Sequence, residues 1–217
     1  MKQAVIFDVD GIMVDTEQLA MNTAEKVMND LGVVLSQEEK LMFVGVKAKQ
    51  YFPELIRKKG LHLDPNKVLQ KFYILYEKEH PTVPILPAIE ECVKTLKPHY
   101  KLGVTSGSPF AHVNNVLKRI GVQNFFQTVV TWEDIGDNPQ HYKPHPRMYQ
   151  MATQRLGVDP NKCVAIEDTK SGVISAKNAG LAVIGVEIGS KGLQDLSDAN
   201  KVVKTLNDVG LELIESI

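Results

Sequence analysis

The sequence is poor in cysteine and in excess charge. Its 217 residues include only two cysteines. Cys92 and Cys163 lie far apart within apolar patterns, so two reduced core residues are favoured over a disulfide or a metal pair. Lysine and arginine total 25, against 26 for aspartate and glutamate. This balance predicts no nucleic-acid partner and no anionic-membrane partner.

Long apolar runs are also missing. No run approaches the length of about 18 residues that a membrane helix needs. The first run, Ala4–Phe7, is too short for the core of a signal peptide. We therefore expect a cytoplasmic protein. The 43% of hydrophobic residues is enough to predict a folded chain rather than a disordered one.

Short apolar runs alternate with helical patterns over most of the chain. Runs of β-branched or apolar residues are typical of strands in a parallel sheet that is covered on both faces. The predicted strands are 4–7, 102–105, 129–131, 163–166, 182–186 and 202–203. The predicted helices are 88–97, 109–120, 146–156, 171–179 and 206–217. This alternation predicts an α/β fold, a doubly wound parallel sheet with right-handed crossovers.

One segment interrupts the alternation directly after the first strand. It shows helical patterns and no strand pattern, and a cluster of prolines after residue 80 indicates a linker back to the sheet. The helical patterns cover 17–31, 49–59 and 66–80. We therefore predict a sheet domain of residues 1–15 and 85–217, and an all-helical inserted domain of residues 16–84.

Polar side chains follow three of the predicted strands, at the point where each strand ends. In an open α/β sheet, ligands bind outside the carboxyl ends of the strands. A lysine in a separate loop adds a positive charge. These residues are Asp8 and Asp10 after the first strand, Thr105, Ser106 and Gly107 at the second, Glu167 and Asp168 at a third, and Lys143 in the loop. We expect the loops to converge on one crevice.

Four carboxylates in one crevice cannot all stay ionised without a cation. Two like unit charges about 4 Å apart repel by about 4 kcal/mol at an effective dielectric constant of about 20. Mg²⁺ is a hard cation with oxygen ligands, so it resolves this repulsion and suits phosphate chemistry. Hydroxyl groups, a glycine amide and a lysine are suited to hold the oxygens of a phosphoryl group. The residues therefore predict a site for magnesium and phosphate.

Four segments resemble the motifs of the haloacid dehalogenase superfamily of phosphotransferases. The segments are, in chain order, Asp8-Val9-Asp10-Gly11, Thr105-Ser106-Gly107, Lys143-Pro144 and Glu167-Asp168. One such motif is a weak signal, whereas four in order are specific. The resemblance covers nearly the whole chain and includes the helical insert, which corresponds to the family's cap domain. It is greatest for the branch that contains β-phosphoglucomutase and small sugar-phosphate phosphatases.

The resemblance implies roles for the acidic residues. Asp8 is expected to attack phosphorus and become an aspartyl-phosphate. Asp10 is expected to protonate the leaving oxygen and then to take a proton from water. Mg²⁺ is expected on the Asp8 carboxylate, the Asp10 backbone carbonyl and Asp168, with Glu167 as a direct or outer ligand.

The resemblance also implies which residues hold the substrate. In the sheet domain they are Thr105 or Ser106, the Gly107 amide and Lys143, and in the cap they are Gly45 and Lys47. Thr105 is expected to provide the main hydroxyl, because it ends the predicted strand. Lys143 is expected to neutralise developing charge and to keep Asp8 ionised. Ser108, which precedes Pro109, is expected only to cap the following helix.

Departures from the mutase pattern bear on the activity. Ala20 stands where the mutase cap carries a histidine. Gly45-Val46 is followed by Lys47, whereas the mutase cap has a phosphate-clamping arginine just after its Gly-Val pair. A dehalogenase does not need a second aspartate, yet Asp10 is present. We therefore expect a monomeric Mg²⁺-dependent phosphatase whose cap closes over a small phosphorylated metabolite, such as a sugar phosphate. A β-phosphoglucomutase-type mutase is the alternative, and an aspartate-phosphorylated, receiver-like signalling module is the alternative from another class.

Overall fold

The chain divides into two units that differ in secondary structure. The computed structural model describes residues 1–43, 46, 48–136 and 138–217. One unit consists of Met1–Asp15 and Ile85–Ile217, and we call it the sheet unit. The other consists of Thr16–Pro84, and we call it the helical unit. The helical unit is therefore inserted in the sequence shortly after the first strand.

A parallel sheet of six strands carries the sheet unit. The strands are β1 (Ala4–Phe7), β2 (Lys101–Ser106), β3 (Thr128–Thr131), β4 (Cys163–Glu167), β5 (Ala182–Val186) and β6 (Lys201–Val203). All pairs in the order β3-β2-β1-β4-β5-β6 are parallel. Every residue of β1 is fully buried, as expected for an apolar central strand covered on both faces. The predicted α/β fold is confirmed, and each strand end lies within one residue of its prediction.

The order of the strands in the sheet reverses beside β1. The chain adds β2 and β3 on one side of β1, and then β4, β5 and β6 on the other. At such a reversal the loops after neighbouring strands diverge to opposite faces and leave a crevice at the carboxyl ends. The segments after β1 and β4 therefore border the same crevice.

The helical unit is held together by an aromatic core. Its helices are α1 (Thr16–Asp30), α2 (Gln37–Leu41), α3 (Ala48–Lys58) and α4 (Pro65–Glu79). Phe43, Tyr51, Phe52 and Phe72 are all buried. The ring centroids of Phe43 and Tyr51 are 4.4 Å apart, and those of Phe52 and Phe72 are 5.3 Å apart. Such rings bury large apolar areas, which is how a unit of this size is stabilised.

Helices of the sheet unit cover the sheet. They are α5 (Ile89–Leu96), α6 (Phe110–Ile120), α7 (Trp132–Ile135), α8 (Arg147–Leu156), α9 (Lys170–Asn178), α10 (Glu187–Ser190) and α11 (Leu211–Glu215). Met148 and Tyr149 of α8 pack in one buried cluster with Ala4 and Ile6 of β1 and Val173 of α9. The helices that carry residues near the crevice are thus fixed to the central strand.

The predicted single C-terminal helix is wrong. Leu206–Asp208 forms a short 3-10 turn, and α11 begins only at Leu211. The Asp208 side chain accepts hydrogen bonds from the amide and the hydroxyl of Thr205, at 3.0 and 3.1 Å. These hydrogen bonds cap the turn, and Gly210 then has an extended backbone, so the helix does not continue from Leu206 to Leu211.

Two expectations about the chain as a whole can be compared with the fold. Cys92 and Cys163 are both buried and free of disulfides, as predicted. Among the described residues, no helix combines the length and the apolar composition that crossing a membrane requires.

Candidate active site

Asp8 lies at the centre of a group of buried charges. It follows β1 directly, and its backbone amide donates a hydrogen bond to the carbonyl of Ile166 in β4 at 3.0 Å. Its side chain is only 7% exposed. Lys143 Nζ donates to Asp8 Oδ1 at 2.6 Å. The loop lysine and the strand-end aspartate, which are 135 positions apart in sequence, thus form a buried ion pair.

Lys143 also contacts Glu167, the last residue of β4. Lys143 Nζ donates to Glu167 Oε1 at 2.5 Å, and the Glu167 side chain has no exposed surface. The loop that carries Lys143 is fixed nearby, because the Ser175 hydroxyl of α9 donates to the His145 carbonyl at 2.7 Å. Lys143 therefore bridges the carboxylates at the ends of β1 and β4.

Three carboxylates form a group that could hold a metal ion. Oxygens of Asp8, Glu167 and Asp168 all lie within 4.8 Å of one another. Asp168 Oδ1 is buried and has no hydrogen-bond partner among the residues that the structure describes. A buried oxygen of this kind is costly unless something binds it. A hard divalent cation with oxygen ligands, such as Mg²⁺, fits both the donor set and this buried oxygen without a partner.

The pKa values of the group follow from burial and from an imbalance of charge. Burial raises the pKa of Asp8 well above its ordinary value; the Lys143 ammonium opposes this increase, while Glu167 adds to it. Burial likewise raises the pKa of Asp168, and the neighbouring Asp8 and Glu167 carboxylates raise it further. Burial alone would lower the pKa of Lys143, but the Asp8 and Glu167 carboxylates hold it well above its usual range. One ammonium thus does not neutralise the three acids, and a cation would relieve the remaining repulsion.

Two glycines let the backbone approach these carboxylates. Gly11 has a φ of +80°, and a Cβ added to it would lie 1.8 Å from Asp168 Oδ2. A Cβ added to Gly172 of α9 would lie 2.0 Å from Glu167 Oε2. Any larger residue would displace the acid. Gly172 was not predicted as a site residue, although a glycine in the first turn of a helix, close after two acids, is a signal of close packing.

Two serine hydroxyls hold Asp10. Ser106 Oγ and Ser108 Oγ donate to Asp10 Oδ2 at 3.0 and 2.9 Å. Gly107 lies between the two serines and is exposed. The oxygen of Asp10 that they share is therefore fixed by the loop after β2.

Thr105, which is expected to provide the main hydroxyl, and its neighbour Ser106 lie on different faces of β2. Thr105 Oγ1 is buried and has no hydrogen-bond partner within the described part of the chain. β2 continues through Ser106, which pairs with Thr131 of β3. Successive side chains of a strand point to opposite faces, so the geometry brings Ser106, and not Thr105, to Asp10.

The expectation for Ser108 is also corrected. It was predicted to cap the following helix, but α6 begins at Phe110 after Pro109, and the Phe110 amide donates to Glu133 Oε2 at 2.8 Å. The Ser108 hydroxyl instead contacts Asp10. The sequence Ser108-Pro109 is typical of a helix start, and that local pattern carries no information about a partner that is 98 positions away.

A buried tyrosine that was not predicted completes the group. The Tyr149 hydroxyl donates to Glu167 Oε1 at 2.6 Å. Tyr149 lies on the buried face of α8 with Met148, Ala152 and Leu156. A phenol among apolar positions signals a buried partner, but the sequence does not say which one.

The helical unit contains a cavity of about 470 Å³. Its walls include the aromatic side chains of Phe43, Phe72, Tyr73 and Tyr76, together with Glu17, Ala20 and Lys49. Ala20, the position of the mutase histidine, thus lines a cavity. The two predicted cap residues, Gly45 and Lys47, lie outside the described residues.

Comparisons with known proteins identify relatives of this chain. The family model described as haloacid dehalogenase-like hydrolase matches residues 5–186. The phosphorylated carbohydrates phosphatase of Thermotoga maritima is 29% identical over 82% of this chain and 82% of its own length. Hexitol phosphatase B of Escherichia coli is 31% identical over 84% of this chain and 82% of its own length. A haloacid dehalogenase-like protein from Agrobacterium tumefaciens has a crystal structure similar to this fold, with a TM-score of 0.81 at 21% identity, covering 100% of this chain and 98% of that one.

The chain belongs to the haloacid dehalogenase-like hydrolase family. The predicted family and enzyme class, a phosphoric monoester hydrolase, are confirmed by the family match and by the phosphatases among the relatives. This membership favours the enzyme over the receiver-like module that the acidic strand ends alone leave open.

Proposed function

We propose that this chain is a Mg²⁺-dependent phosphatase that hydrolyses a small phosphomonoester through an aspartyl-phosphate on Asp8. The observation that carries the proposal is the buried contact of Lys143 with both Asp8 and Glu167, beside an Asp168 oxygen that lacks a partner within the described chain. Such a group suits a reaction in which a negatively charged phosphoryl group is brought to the Asp8 carboxylate and held there.

In the first half of the reaction, Asp8 forms a bond to phosphorus. An oxygen of Asp8 attacks while Lys143 Nζ remains on Oδ1. The bond from phosphorus to the leaving oxygen breaks, and that oxygen takes a proton from Asp10. Ser106 and Ser108 orient the Asp10 carboxyl through their hydrogen bonds to Oδ2.

In the second half, water replaces Asp8. Asp10, now a carboxylate, takes a proton from the water molecule as its oxygen attacks phosphorus. The bond between phosphorus and Asp8 breaks, which releases inorganic phosphate and restores the Asp8 carboxylate. One proton has passed from Asp10 to the alcohol and one from water to Asp10, so the residues return to their initial state.

Asp8, Asp168 and Glu167 would hold the cation. When bound, Mg²⁺ supplies positive charge that offsets the repulsion between the Asp8 carboxylate and the phosphate. Lys143 supplies a second positive charge to the Asp8 carboxylate, at Oδ1.

A sugar phosphate is the substrate that we favour. Relatives include a phosphatase of phosphorylated carbohydrates and a hexitol phosphatase. The aromatic walls of the cavity in the helical unit suit the apolar faces of a sugar, and Glu17 and Lys49 can hydrogen-bond its hydroxyl groups. A cytoplasmic location and a monomeric state stay predictions.

The test is a screen for phosphate released from a panel of phosphorylated metabolites, with and without Mg²⁺. We expect Mg²⁺-dependent release from sugar phosphates, with many turnovers per chain. Analysis of the organic product separates a phosphatase, which gives the free alcohol, from a mutase, which gives an isomeric phosphate. A single, long-lived phosphorylation without turnover, or no phosphate release with any compound, would contradict the proposal.

A further inference from the structure

We propose that Tyr149 is a positioning residue whose hydroxyl fixes the Glu167 carboxylate, so that Glu167 can serve Lys143 and a divalent cation at the same time. This inference rests on the proposed function. The reacting atoms lie at Asp8, which Tyr149 does not touch through any contact that the structure describes. The effect of the hydroxyl would therefore pass through Glu167, to which it donates.

The contacts around Glu167 Oε1 support this role. The oxygen accepts the Tyr149 hydroxyl at 2.6 Å and Lys143 Nζ at 2.5 Å. Lys143 Nζ also lies 5.3 Å from the centre of the Tyr149 ring, which is within the range of a cation–π contact. Tyr149 thus touches both the carboxylate and the ammonium, while its own side chain is fully buried.

The other oxygen of Glu167 is held less firmly. Thr169 Oγ1 donates to Oε2 at 3.3 Å, and the backbone of Gly172 packs closely against the carboxyl group. Among hydrogen bonds from uncharged groups, the short one from the Tyr149 hydroxyl is therefore the main contact that fixes the orientation of the Glu167 carboxylate. An ion pair alone is less directional than a hydrogen bond from a fixed hydroxyl.

Loss of the phenol would redistribute the bonds of Lys143. With one donor fewer, Glu167 Oε1 would attract the ammonium more strongly, and the Lys143 contact with Asp8 would lengthen. The carboxylate would also turn more freely, so it would present a less defined oxygen to a cation. Partners that orient metal-ligating groups typically change metal affinity or activity by about 10- to 100-fold when they are removed.

The variant Tyr149→Phe tests the inference because it keeps the ring and removes only the hydroxyl. Mg²⁺ binding is measured by calorimetry in the absence of substrate, and kcat and KM are then measured with the best substrate. We expect about 10-fold weaker Mg²⁺ binding and about 10-fold lower kcat at saturating Mg²⁺, with KM unchanged within about twofold. Tyr100→Phe is the matched control, since its hydroxyl donates to Glu215 Oε1 at 2.8 Å, a similar phenol–carboxylate bond made without any proposed site residue. It should change neither quantity.

A second background shows whether the effect passes through Glu167. In Glu167→Gln, the further change Tyr149→Phe should weaken Mg²⁺ binding by less than about twofold, because the oriented carboxylate is already gone. Equal losses in both backgrounds would overturn the inference. If Tyr149→Phe bound Mg²⁺ as tightly as the wild type, the hydroxyl would be irrelevant to the site and the inference would be overturned. If that variant failed to fold, the role of the hydroxyl would be purely structural, which would also overturn the inference.

The outcomes also separate this inference from the proposed function. If the wild-type chain binds Mg²⁺ but hydrolyses no phosphomonoester, the function fails, while the Mg²⁺ affinities still decide the role of Tyr149. If the wild type hydrolyses substrates and Tyr149→Phe is indistinguishable from it, only the positioning role is lost. Absence of Mg²⁺ binding by the wild type would overturn both.

Discussion

The two units of the chain use their buried residues in different ways. The sheet unit buries charge, since Asp8, Glu167 and Asp168 are all almost inaccessible to solvent, and Lys143 pairs with the first two. The helical unit buries aromatic rings, and an ion pair such as Lys26 with Glu79 keeps 56% and 21% of its side chains exposed. Buried charge is costly unless it is paired or binds a cation. The proposed function therefore assigns the chemistry to the sheet unit and the selection of the substrate to the helical unit.

The largest effect is expected in the sheet unit, at Asp8. Asp8→Asn keeps the size of the side chain but removes the proposed nucleophile, so turnover of every substrate should fall by at least about 1,000-fold. The measurement is the steady-state release of phosphate at saturating Mg²⁺. Asp159→Asn is the control, because Asp159 only caps a turn through the Asn161 amide at 3.0 Å, and asparagine can do the same. An Asp8→Asn variant that retains a tenth of the activity would contradict a role for Asp8 as the nucleophile.

A pair of neighbouring variants tests which hydroxyl of β2 takes part. Ser106→Ala removes a hydrogen bond to Asp10, and we expect turnover to fall by about 100-fold. Thr105→Val removes a buried hydroxyl for which the described residues offer no partner. Turnover should then stay within about twofold, and the free energy of unfolding should rise by about 1 kcal/mol. The reverse ranking of the two variants would restore Thr105 to the role predicted from the sequence.

The pH dependence of stability tests whether the acids need a cation. Without metal, the pKa values of Asp8 and Asp168 lie well above 3.8 in the folded chain. The folded state then holds protons that the unfolded state has released, so these groups stabilise the fold at low pH, and their contribution is lost as the pH rises from about 4 through the folded-state pKa values.

Mg²⁺ should reverse this loss, because it stabilises the ionised acids. We expect the midpoint of thermal unfolding to rise more on addition of Mg²⁺ at pH about 7.5 than at pH about 5, with a gain of about 2.7 kcal/mol when the free ion is at about 100 times its Kd. In Asp168→Asn, which removes one of the acids, the response to Mg²⁺ should shrink at both pH values. An equal response of wild type and variant would contradict a site at these residues.

The smallest effect is expected in the helical unit, at Tyr73. This residue lines the cavity and is 47% exposed, so Tyr73→Ala should change the free energy of unfolding by less than about 0.5 kcal/mol. The KM for the preferred substrate should rise by about threefold while kcat stays constant, since only uniform binding is lost. Ile74→Ala, at an exposed neighbouring position outside the cavity wall, is the control. A fall in kcat without a change in KM would remove the distinction between the two units.

The sequence identified the acids because their positions depend on strand ends. A strand such as β1 is apolar and short, so the first acid after it marks the carboxyl end of the sheet. The ends of parallel strands lie at one edge, which is why Asp8, Glu167 and Asp168 could be expected together. The same reasoning does not fix the position of Lys143, because a loop lysine has no period or strand that fixes its direction. The Lys143-Pro144 motif is what supported its inclusion.

The residues that the sequence misassigned depend on single steps of the backbone. Thr105 and Ser106 point to opposite faces of β2, and no composition signal tells which of the two faces borders the crevice. Ser108 and Tyr149 act through partners that are distant in the chain. The helical unit could be predicted as helices, but its cavity follows from how aromatic rings pack, which periodicity does not specify.

The covalent state of Asp8 during turnover is the most direct test of the account. The chain is mixed with Mg²⁺ and substrate, quenched in acid within one turnover, and digested for tandem mass spectrometry. The account predicts one added phosphoryl group on the peptide that contains Asp8, which disappears when the substrate is exhausted and is absent in Asp8→Asn. Rapid turnover without that modification, or the phosphoryl group on another residue, would contradict it.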